Sequence, residues 1–380
     1  MSENNLNIQM VDLKSQYMKI KPQVDQAIND VLSSTQFING EHVKSFQNEL
    51  AAYLDVKHVI TCANGTDALQ ISMMALGLKP GDEIITPSFT YIATTEVIGL
   101  LGLKPVFVDC NPENFNISVD EVEKAITKKT KAIVPVHLFG QSSDMKSITS
   151  LAKKYNLFVI EDNAQAIGSD YLGFNQPQKT GTIGNIGCTS FFPSKNLGCF
   201  GDGGAMMTND DELAKKLRMI ANHGQSKRYY HDIVGCNSRL DNIQAAVLRI
   251  KLKELDQYIL NRQKAANYYD QNLKDLDQLT LPFRNLDSNH VFHQYTLKLD
   301  DSIVRDELIQ YLAEKNIPAM VYYPVPAHRQ KMFSKIPNSY GNMKVTNWLS
   351  SRVFSLPMHT ELSTLQQDYI IENISNFLNK

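Results

Sequence analysis

The lysine at position 195 is the residue of this 380-residue chain whose surroundings most suggest chemistry. It lies in the run 188–208, C-T-S-F-F-P-S-K-N-L-G-C-F-G-D-G-G-A-M-M-T, where Asp202 is the only other charged residue. A lysine amine in an apolar pocket has a lowered pKa and becomes a nucleophile that can form a Schiff base. A strand-end lysine whose ammonium reaches solvent fits the same run equally well. Other parts of the chain must decide between these interpretations.

Three further groups with chemical potential follow predicted strands. Gly65 and Thr66 begin a helix directly after a buried strand, and a helix start offers free N–H groups to an anion. Phe89 and Asp162 follow two later strands. Ordinary helix capping, core packing and loop capping would explain each group singly. Because ligands of parallel sheets bind beyond the carboxyl ends of the strands, we expect these groups to share one site.

Pyridoxal 5'-phosphate (PLP) is the cofactor that such a set of groups would hold. The helix start would bind its phosphate, Phe89 would offer a flat face, Asp162 would hold the ring nitrogen protonated, and Lys195 would bind the aldehyde. The chain has no G-x-G-x-x-G motif after its first strand, no P-loop and no G-x-S-x-G motif. Dinucleotide, P-loop nucleotide and serine-hydrolase chemistry are therefore disfavoured.

Alternating strands and helices are predicted to carry these residues. From about residue 58 to 162, short runs of β-branched residues alternate with amphipathic helices, which predicts a mostly parallel sheet covered on both faces. We expect a return strand at 204–208 and a long helix that reaches about Tyr268.

Beyond Leu276 the composition changes. The predicted elements there are a strand at 290–299, a strand that runs into a proline-stiffened loop within 317–328, and helices at 305–315 and 364–378. This organisation predicts a large domain, with its N-terminal segment, over residues 1–255, and a connecting helix with a small α/β domain over 256–380.

Composition excludes several function classes. The net charge of −2 predicts neither a nucleic-acid partner nor a membrane partner. The five cysteines show no C-x-x-C or Cys/His spacing, so we expect no metal site and reduced thiols in the cytoplasm. The polar N-terminus does not resemble a signal peptide, and no apolar run reaches the roughly 18 residues of a membrane span.

Eight motifs spread over nearly the whole chain resemble one known family. They are V-D-L-K-S-Q-Y, A-N-G-T-D-A-L, P-S-F-T-Y-I-A-T, V-I-E-D-N-A-Q-A, S-F-F-P-S-K-N-L-G-C-F-G-D-G-G-A, N-S-R-L-D-N-I-Q-A-A, Y-Y-P-V-P and S-L-P-M-H. The chain thereby resembles the DegT/DnrJ/EryC1/StrS family of PLP-dependent sugar aminotransferases. The resemblance implies the aspartate-aminotransferase fold (PLP fold type I), L-glutamate as amino donor, a nucleotide-sugar acceptor, and an obligate homodimer with shared active sites.

The resemblance also implies a role for each matching residue. Lys195 would be the Schiff-base lysine and proton shuttle, Asp162 would pair with the pyridine nitrogen, and Gln165 would bind the phenolic oxygen of the cofactor. Phe89 would stack on the ring. The expected phosphate ligands are Gly65, Thr66 and Ser190, with Asn237 reaching in from a partner subunit. The expected substrate contacts, some from the neighbouring chain, are Thr35, Phe37, Ser194, Arg239, Tyr322 and Tyr323.

The sequence of the turn after Lys195 indicates which carbon of the sugar receives the amino group. Leu197-Gly198 and Asp202 match family branches that aminate C3, whereas C4 branches resemble K-x-I-T-x-x-E-G-G. The nearest branch forms the 3-amino sugar from UDP-2-acetamido-2-deoxy-3-keto-glucuronate, for surface polysaccharide and lipopolysaccharide O-antigen. The chain departs from that branch among the sugar contacts: Tyr322 replaces histidine, Phe37 replaces tyrosine and Thr35 replaces glycine. A dTDP-3-keto-6-deoxyhexose or UDP-3-keto-N-acetylglucosamine therefore stays open as the substrate.

The same residues bear on two alternatives to an aminotransferase. Dehydratases on this fold resemble the chain but carry histidine at the position of Lys195, which disfavours them. A non-catalytic regulator that retains the fold is disfavoured by the intact set of Lys195, Asp162 and Gln165.

Overall fold

The computed structural model describes residues 6–379. The prediction about the polar N-terminus rests partly on residues 1–5, which lie outside the described part of the chain. Over residues 6–379, no helix is both long enough and apolar enough to cross a bilayer.

Twelve α-helices are formed within residues 6–379. They are α1 (Leu13–Ser34), α2 (Glu41–Leu54), α3 (Gly65–Ala75), α4 (Ala93–Leu100), α5 (Val119–Ala125), α6 (Met145–Tyr155), α7 (Asp211–Ala221), α8 (Asn242–Lys253), α9 (Leu255–Leu273), α10 (Arg305–Glu314), α11 (Lys344–Arg352) and α12 (Thr364–Leu378). Three short 3-10 helices lie at Leu138–Gly140, Ala327–Arg329 and Lys331–Ser334.

The strands of the described chain form one large sheet and three small ones. They are β1 (His58–Cys62), β2 (Glu83–Pro87), β3 (Lys104–Val108), β4 (Thr130–Ile133), β5 (Phe158–Asp162), β6 (Asp170–Tyr171), β7 (Gln178–Lys179), β8 (Ile186–Ser190), β9 (Gly204–Thr208), β10 (Gln225–Lys227), β11 (Tyr230–His231), β12 (Leu279–Thr280), β13 (Tyr295–Leu299), β14 (Ser339–Tyr340) and β15 (Val353–Leu356). The large sheet has the order β1-β9-β8-β5-β4-β2-β3-β14.

The large sheet is mostly parallel, as the sequence predicts. Only β9 runs against its neighbours β1 and β8, so the return strand at 204–208 is confirmed. Successive residues of β2 enter different cores: Ile84 packs with Val97 on one face and Ile85 with Ile148 on the other. This alternation follows from the two-residue period of a strand. Helices on both faces leave the carboxyl edge of the sheet free to hold a site.

A second unit of secondary structure follows α9. Strands β12, β13 and β15 form an antiparallel sheet whose core includes Leu297, Phe354 and Ile374. One short piece of this C-terminal region returns to the large sheet, because β14 pairs in parallel with β3. The domain boundary at 255/256 stays a prediction; α9 begins at Leu255.

Three local predictions are wrong. The strand expected at the start of 317–328 does not form, because Pro318 lacks the N–H that a ladder needs; Met320 alone makes an isolated bridge to Ser355. The long helix is two helices that break at Glu254, and the second continues past Tyr268 to Leu273. The strand expected from residue 290 begins only at Tyr295.

Candidate active site

A cavity of about 770 Å³ lies beyond the carboxyl ends of the large sheet's strands. Most of the site residues predicted from the sequence line this cavity. Those that line it are Gly65, Thr66, Asp162, Gln165, Ser190, Ser194, Lys195, Tyr322 and Tyr323. Residues distant in sequence are brought together because β1, β5 and β8 run in the same direction and end at the same edge.

The start of α3 forms an anion cradle in this cavity. The Asn64 side chain caps the helix by accepting from the Asp67 N–H at 2.8 Å. The N–H groups of Gly65 and Thr66 have no acceptor among the hydrogen bonds of residues 6–379. A Cβ at Gly65 would lie 2.7 Å from the Ser190 Cβ, so only glycine lets the helix start and the end of β8 approach this closely. Two free donors beside a hydroxyl at a helix N-terminus suit a phosphate.

Lys195 follows β8 in a tight turn, where its N–H donates to the Phe192 carbonyl at 2.9 Å. Gly198 makes the return possible, because a Cβ there would lie 2.4 Å from the Pro193 carbonyl oxygen. The Lys195 side chain is partly buried and reaches the cavity. Burial lowers the pKa of Lys195 to about 8, against the opposing pull of the Asp162 charge. The amine is therefore available as a nucleophile near neutral pH.

Asp162 is the last residue of β5 and is fixed by two donors. The Thr94 hydroxyl donates to its Oδ2 at 2.7 Å, and the Ala164 N–H donates to its Oδ1 at 3.1 Å. Asp162 is 5% exposed and lines the cavity, so its remaining acceptor capacity is available to a ligand there. A carboxylate held in this way can bind a protonated ring nitrogen strongly.

Gln165 bridges the large sheet and the loop at 322–323. Its Oε1 accepts from the Phe139 N–H at 2.7 Å, and its Nε2 donates to the Tyr323 hydroxyl at 2.9 Å. An amide nitrogen has two hydrogens, so one is left for a ligand in the cavity. This geometry is compatible with the predicted contact to a phenolic oxygen.

Phe89 requires a correction, because its side chain lies outside the cavity lining. It is fully buried and packs against Phe115, Phe139 and Tyr323, which leaves its ring no exposed face for the predicted stacking. The chain leaves β2 at Pro87 without a helix until Ala93, and this irregular turn presents Tyr91 to the cavity instead. Tyr91 is 56% exposed, and its ring centroid lies 6.0 Å from that of Tyr323.

Besides Phe89, four predicted site residues do not line the cavity of their own chain: Thr35, Phe37, Asn237 and Arg239. The structure nevertheless brings their two segments together. Ile38 and Asp241 form an antiparallel bridge, and the Asn242 N–H donates to the Phe37 carbonyl at 2.9 Å. Phe37 is 43% exposed. The segment of Asn237 and Arg239 also adjoins the cavity, because the Ser238 hydroxyl donates to the cavity-lining Asp67 at 2.6 Å.

Several cavity residues were missed by sequence reasoning. They are Asp67, Tyr91, His293 and Gln294, which line the cavity, and Thr94, which holds Asp162. Asp202, which the motif comparison relates to the sugar carbon, lines the cavity as well. His293 and Gln294 lie in the segment H-V-F-H-Q, for which the sequence predicts a strand. Two adjacent polar residues directly after Val291-Phe292 are the available signal.

The fold and the cavity define a PLP-dependent aminotransferase of fold type I. The chain belongs to the DegT/DnrJ/EryC1/StrS aminotransferase family, whose model matches residues 18–375. This confirms the predicted family, fold class and enzyme class.

Three curated relatives are similar to almost the whole chain. The pleiotropic regulatory protein of Geobacillus stearothermophilus is 45% identical over 98% of this chain and 99% of the relative. The UDP-2-acetamido-2-deoxy-3-oxo-D-glucuronate aminotransferase of Pseudomonas aeruginosa is 44% identical over 97% and 100%. The UDP-N-acetyl-3-dehydro-α-D-glucosamine 3-aminotransferase of Acidithiobacillus ferrooxidans is 44% identical over 94% of each chain.

Solved structures of the same fold bear on the cofactor. DesV of S. venezuelae, solved in complex with a ketimine intermediate, matches 98% of this chain and 99% of its own with a TM-score of 0.93 and 37% identity. NtdA of Bacillus subtilis, solved with bound pyridoxamine phosphate, matches 95% and 82% with a TM-score of 0.87 and 32% identity. Together with the family match, these findings confirm PLP as the predicted cofactor.

Proposed function

We propose that this enzyme transfers the amino group of L-glutamate to C3 of a nucleotide-linked 3-keto sugar. The observation that carries the proposal is that a nucleophilic lysine, a buried carboxylate and an anion cradle open into one cavity. The names of two 44% identical relatives support a UDP-linked 3-keto sugar as the acceptor.

In this proposal, different cavity residues bind different parts of the cofactor. Gly65, Thr66 and Ser190 hold the phosphate, Asp162 holds the ring nitrogen, and Gln165 holds the phenolic oxygen. The bound cofactor supplies an electrophilic carbon and an electron sink for the substrate. Ser194, Tyr322 and Tyr323 border the space left for the substrate.

Lys195 has two tasks in the proposed reaction. It anchors the cofactor, and once released its free amine takes the proton from the substrate carbon and later returns it. A pKa of about 8 suits both tasks, because the amine can lose and regain a proton near neutral pH. The same residue serves the glutamate and the sugar half-reactions.

The proposed enzyme is a homodimer whose sites are shared. Glutamate and a nucleotide sugar together bring carboxylates and phosphates, yet among the cavity-lining residues of 6–379 only Lys195 carries a full positive charge. A second subunit would supply the missing donors through the partner's Arg239 and the partner's Asn237. The exposure of the segment at 35–39 supports the same arrangement.

The first candidate for the sugar is UDP-2-acetamido-2-deoxy-3-keto-glucuronate, for surface polysaccharide synthesis in the cytoplasm. A second candidate, UDP-3-keto-N-acetylglucosamine, is favoured by one observation. The sugar carboxylate of the uronate requires a cation, whereas Tyr91, Phe192 and Tyr322 give the mouth of the chain's own cavity an uncharged aromatic wall. A dTDP-3-keto-6-deoxyhexose, which is also uncharged on the sugar, is the further alternative.

A substrate panel tests the proposal. The purified enzyme is first exposed to glutamate, and loss of the cofactor's visible absorbance reports the first half-reaction. The three 3-keto nucleotide sugars are then added separately, and the recovered absorbance and the position of the new amine, located by NMR, are recorded. We expect turnover of at least one sugar with the amine on C3. Amination at C4, or glutamate turnover with none of the sugars accepted, would contradict the proposal.

A further inference from the structure

His293 lies beside the reactive amine of Lys195. Its Nε2 is 3.5 Å from the Lys195 Nζ, and its side chain lines the cavity. That distance is at the long end of the hydrogen-bond range, as is common in unliganded active sites, where contacts tighten when ligands bind. His293 is only 5% exposed, so water competes little for its ring.

The segment that carries His293 is fixed from several directions. The Asn196 side chain, next to Lys195, donates to the Val291 carbonyl at 2.9 Å. The fully buried Arg262 donates to the carbonyl of Phe292 at 3.1 Å and to that of His293 at 3.4 Å. Because one of these bonds comes from the residue next to Lys195, the backbone that carries His293 is fixed relative to the turn that carries Lys195.

The charges around His293 decide its protonation state. Burial, together with the neighbouring cations Lys195 and Arg262, holds the pKa of His293 well below its usual range. The charge of Asp162 favours the ammonium form of Lys195. A neutral imidazole that faces an ammonium group must present a lone pair to it, so its ring proton lies on Nδ1. That Nδ1 has no hydrogen-bond partner within residues 6–379.

We infer that His293 is a further catalytic residue, whose Nε2 accepts a hydrogen bond from the Lys195 Nζ whenever that amine is not bonded to the cofactor. The contact breaks no bond; it holds the released amine in one orientation, with its remaining hydrogens and lone pair directed into the cavity. Without it, a four-carbon side chain would sample several rotamers before each proton transfer. The inference rests on the proposed role of Lys195 as the Schiff-base residue.

The test compares substitutions that keep or remove the acceptor. Gln places an amide oxygen near the position of Nε2, Met fills similar volume without a strong acceptor, and the amide of Asn is too short to reach Nζ. His290→Met is the matched control, because His290 is buried in the same segment and stacks on Phe292 without contacting Lys195. The apoprotein is acetylated with acetic anhydride over a pH series, and the Lys195 peptide is quantified by mass spectrometry.

We expect the midpoint of Lys195 labelling to fall by about one pH unit in His293→Met, because the ammonium form loses an acceptor. His293→Gln should keep most of the native midpoint, and His290→Met should not move it even where thermal stability falls. If His293→Met does not fold, His293→Asn takes its place. A native midpoint in the acceptor-free variant, or an equal shift in Gln and Met, would overturn the inference.

A second measurement separates this inference from the proposed function. In the PLP-loaded enzyme, His293→Met should lower kcat of the glutamate half-reaction about tenfold with KM nearly unchanged, as expected for a group that acts on the reacting amine. Borohydride reduction of the native enzyme reports independently whether the cofactor is bound to Lys195. A cofactor trapped elsewhere would refute the Lys195 assignment, whereas trapping on Lys195 with native kcat in His293→Met would refute the role of His293.

Discussion

The Gln165 amide donates to the Tyr323 hydroxyl at 2.9 Å, which connects the floor of the cavity to a loop 158 residues later in the chain. The opposite side of the same amide accepts from the Phe139 N–H. The Gln165 amide, which is proposed to contact the cofactor, is thus held on one side by Phe139 and on the other by Tyr323 of the loop at 322–323. A substrate that binds the loop at 322–323 and moves Tyr323 would therefore also change the position of the Gln165 amide, which is proposed to contact the cofactor.

Tyr323→Phe tests this connection. Removing the hydroxyl frees the Gln165 amide to turn, so we expect kcat to fall by about tenfold, the scale of one lost hydrogen bond in a desolvated site. The absorbance maximum of the bound cofactor should shift as well. Tyr322→Phe is the control, because the Tyr322 hydroxyl contacts Gln294 and not Gln165. An unshifted spectrum in Tyr323→Phe would refute the connection.

The lowered pKa of Lys195 makes cofactor loading depend on pH. The folded pKa is about 8, below the ordinary lysine value, so the free amine predominates above pH 8 and is lost below it. The rate at which the apoprotein binds PLP covalently should rise about tenfold per pH unit up to that point and then level off. Nα-acetyl-lysine, with a pKa of about 10.4, provides the reference reaction.

Asp162→Asn should shift the pH dependence of covalent PLP loading to lower pH. The Asp162 charge favours the ammonium form of Lys195, so its removal should lower the Lys195 pKa and shift the loading curve to lower pH. The final affinity for PLP should fall at the same time, because the ring nitrogen loses its counter-charge. A shift to higher pH would contradict the described arrangement.

Thr94→Val tests how Asp162 is held. The Thr94 hydroxyl donates to the buried Asp162 carboxylate at 2.7 Å, and valine has nearly the same shape without the donor. A lost hydrogen bond to a charged group costs about 1.5–3 kcal/mol, so PLP affinity should fall by about tenfold or more. Thr95→Val is the matched control, because the Thr95 hydroxyl donates only to the Ile92 carbonyl. Equal losses of affinity in the two variants would indicate a general packing defect.

The residues that sequence reasoning located correctly are those at strand ends. Gly65, Asp162 and Ser190 follow or end strands whose apolar runs are easily recognised, and parallel strands bring their carboxyl ends to one edge. The misplaced residue, Phe89, lies in an irregular turn where neither the helix nor the strand period applies. Its neighbour Tyr91 could not be chosen without knowing how the chain turns after Pro87.

The residues that were missed depend on contacts across the fold. His293 reaches Lys195 because Arg262 and Asn196 hold its segment by backbone carbonyls, and such side chain to backbone bonds leave no periodic pattern in a sequence. The strand expected before the proline-stiffened loop of 317–328 shows the reverse case. Its residues are largely apolar, but Pro318 removes a donor that pairing requires, and only Met320 makes a bridge.

Mixing two inactive variants tests whether the sites are shared between subunits. In a heterodimer of Lys195→Ala and Asn237→Asp chains, a shared arrangement concentrates both defects in one site and leaves the other with a native Lys195 and a native Asn237. Random association of equal amounts makes half of the dimers mixed, so about a quarter of the native specific activity should return. If each site uses only its own chain, every site carries one defect and the activity stays at the level of the separate variants.

The mixture is therefore assayed after co-refolding, with each variant refolded alone as the control. Activity at the control level would refute the shared site, because Asn237 is exposed and lies outside its own chain's cavity lining, where it has no other evident route to the reaction.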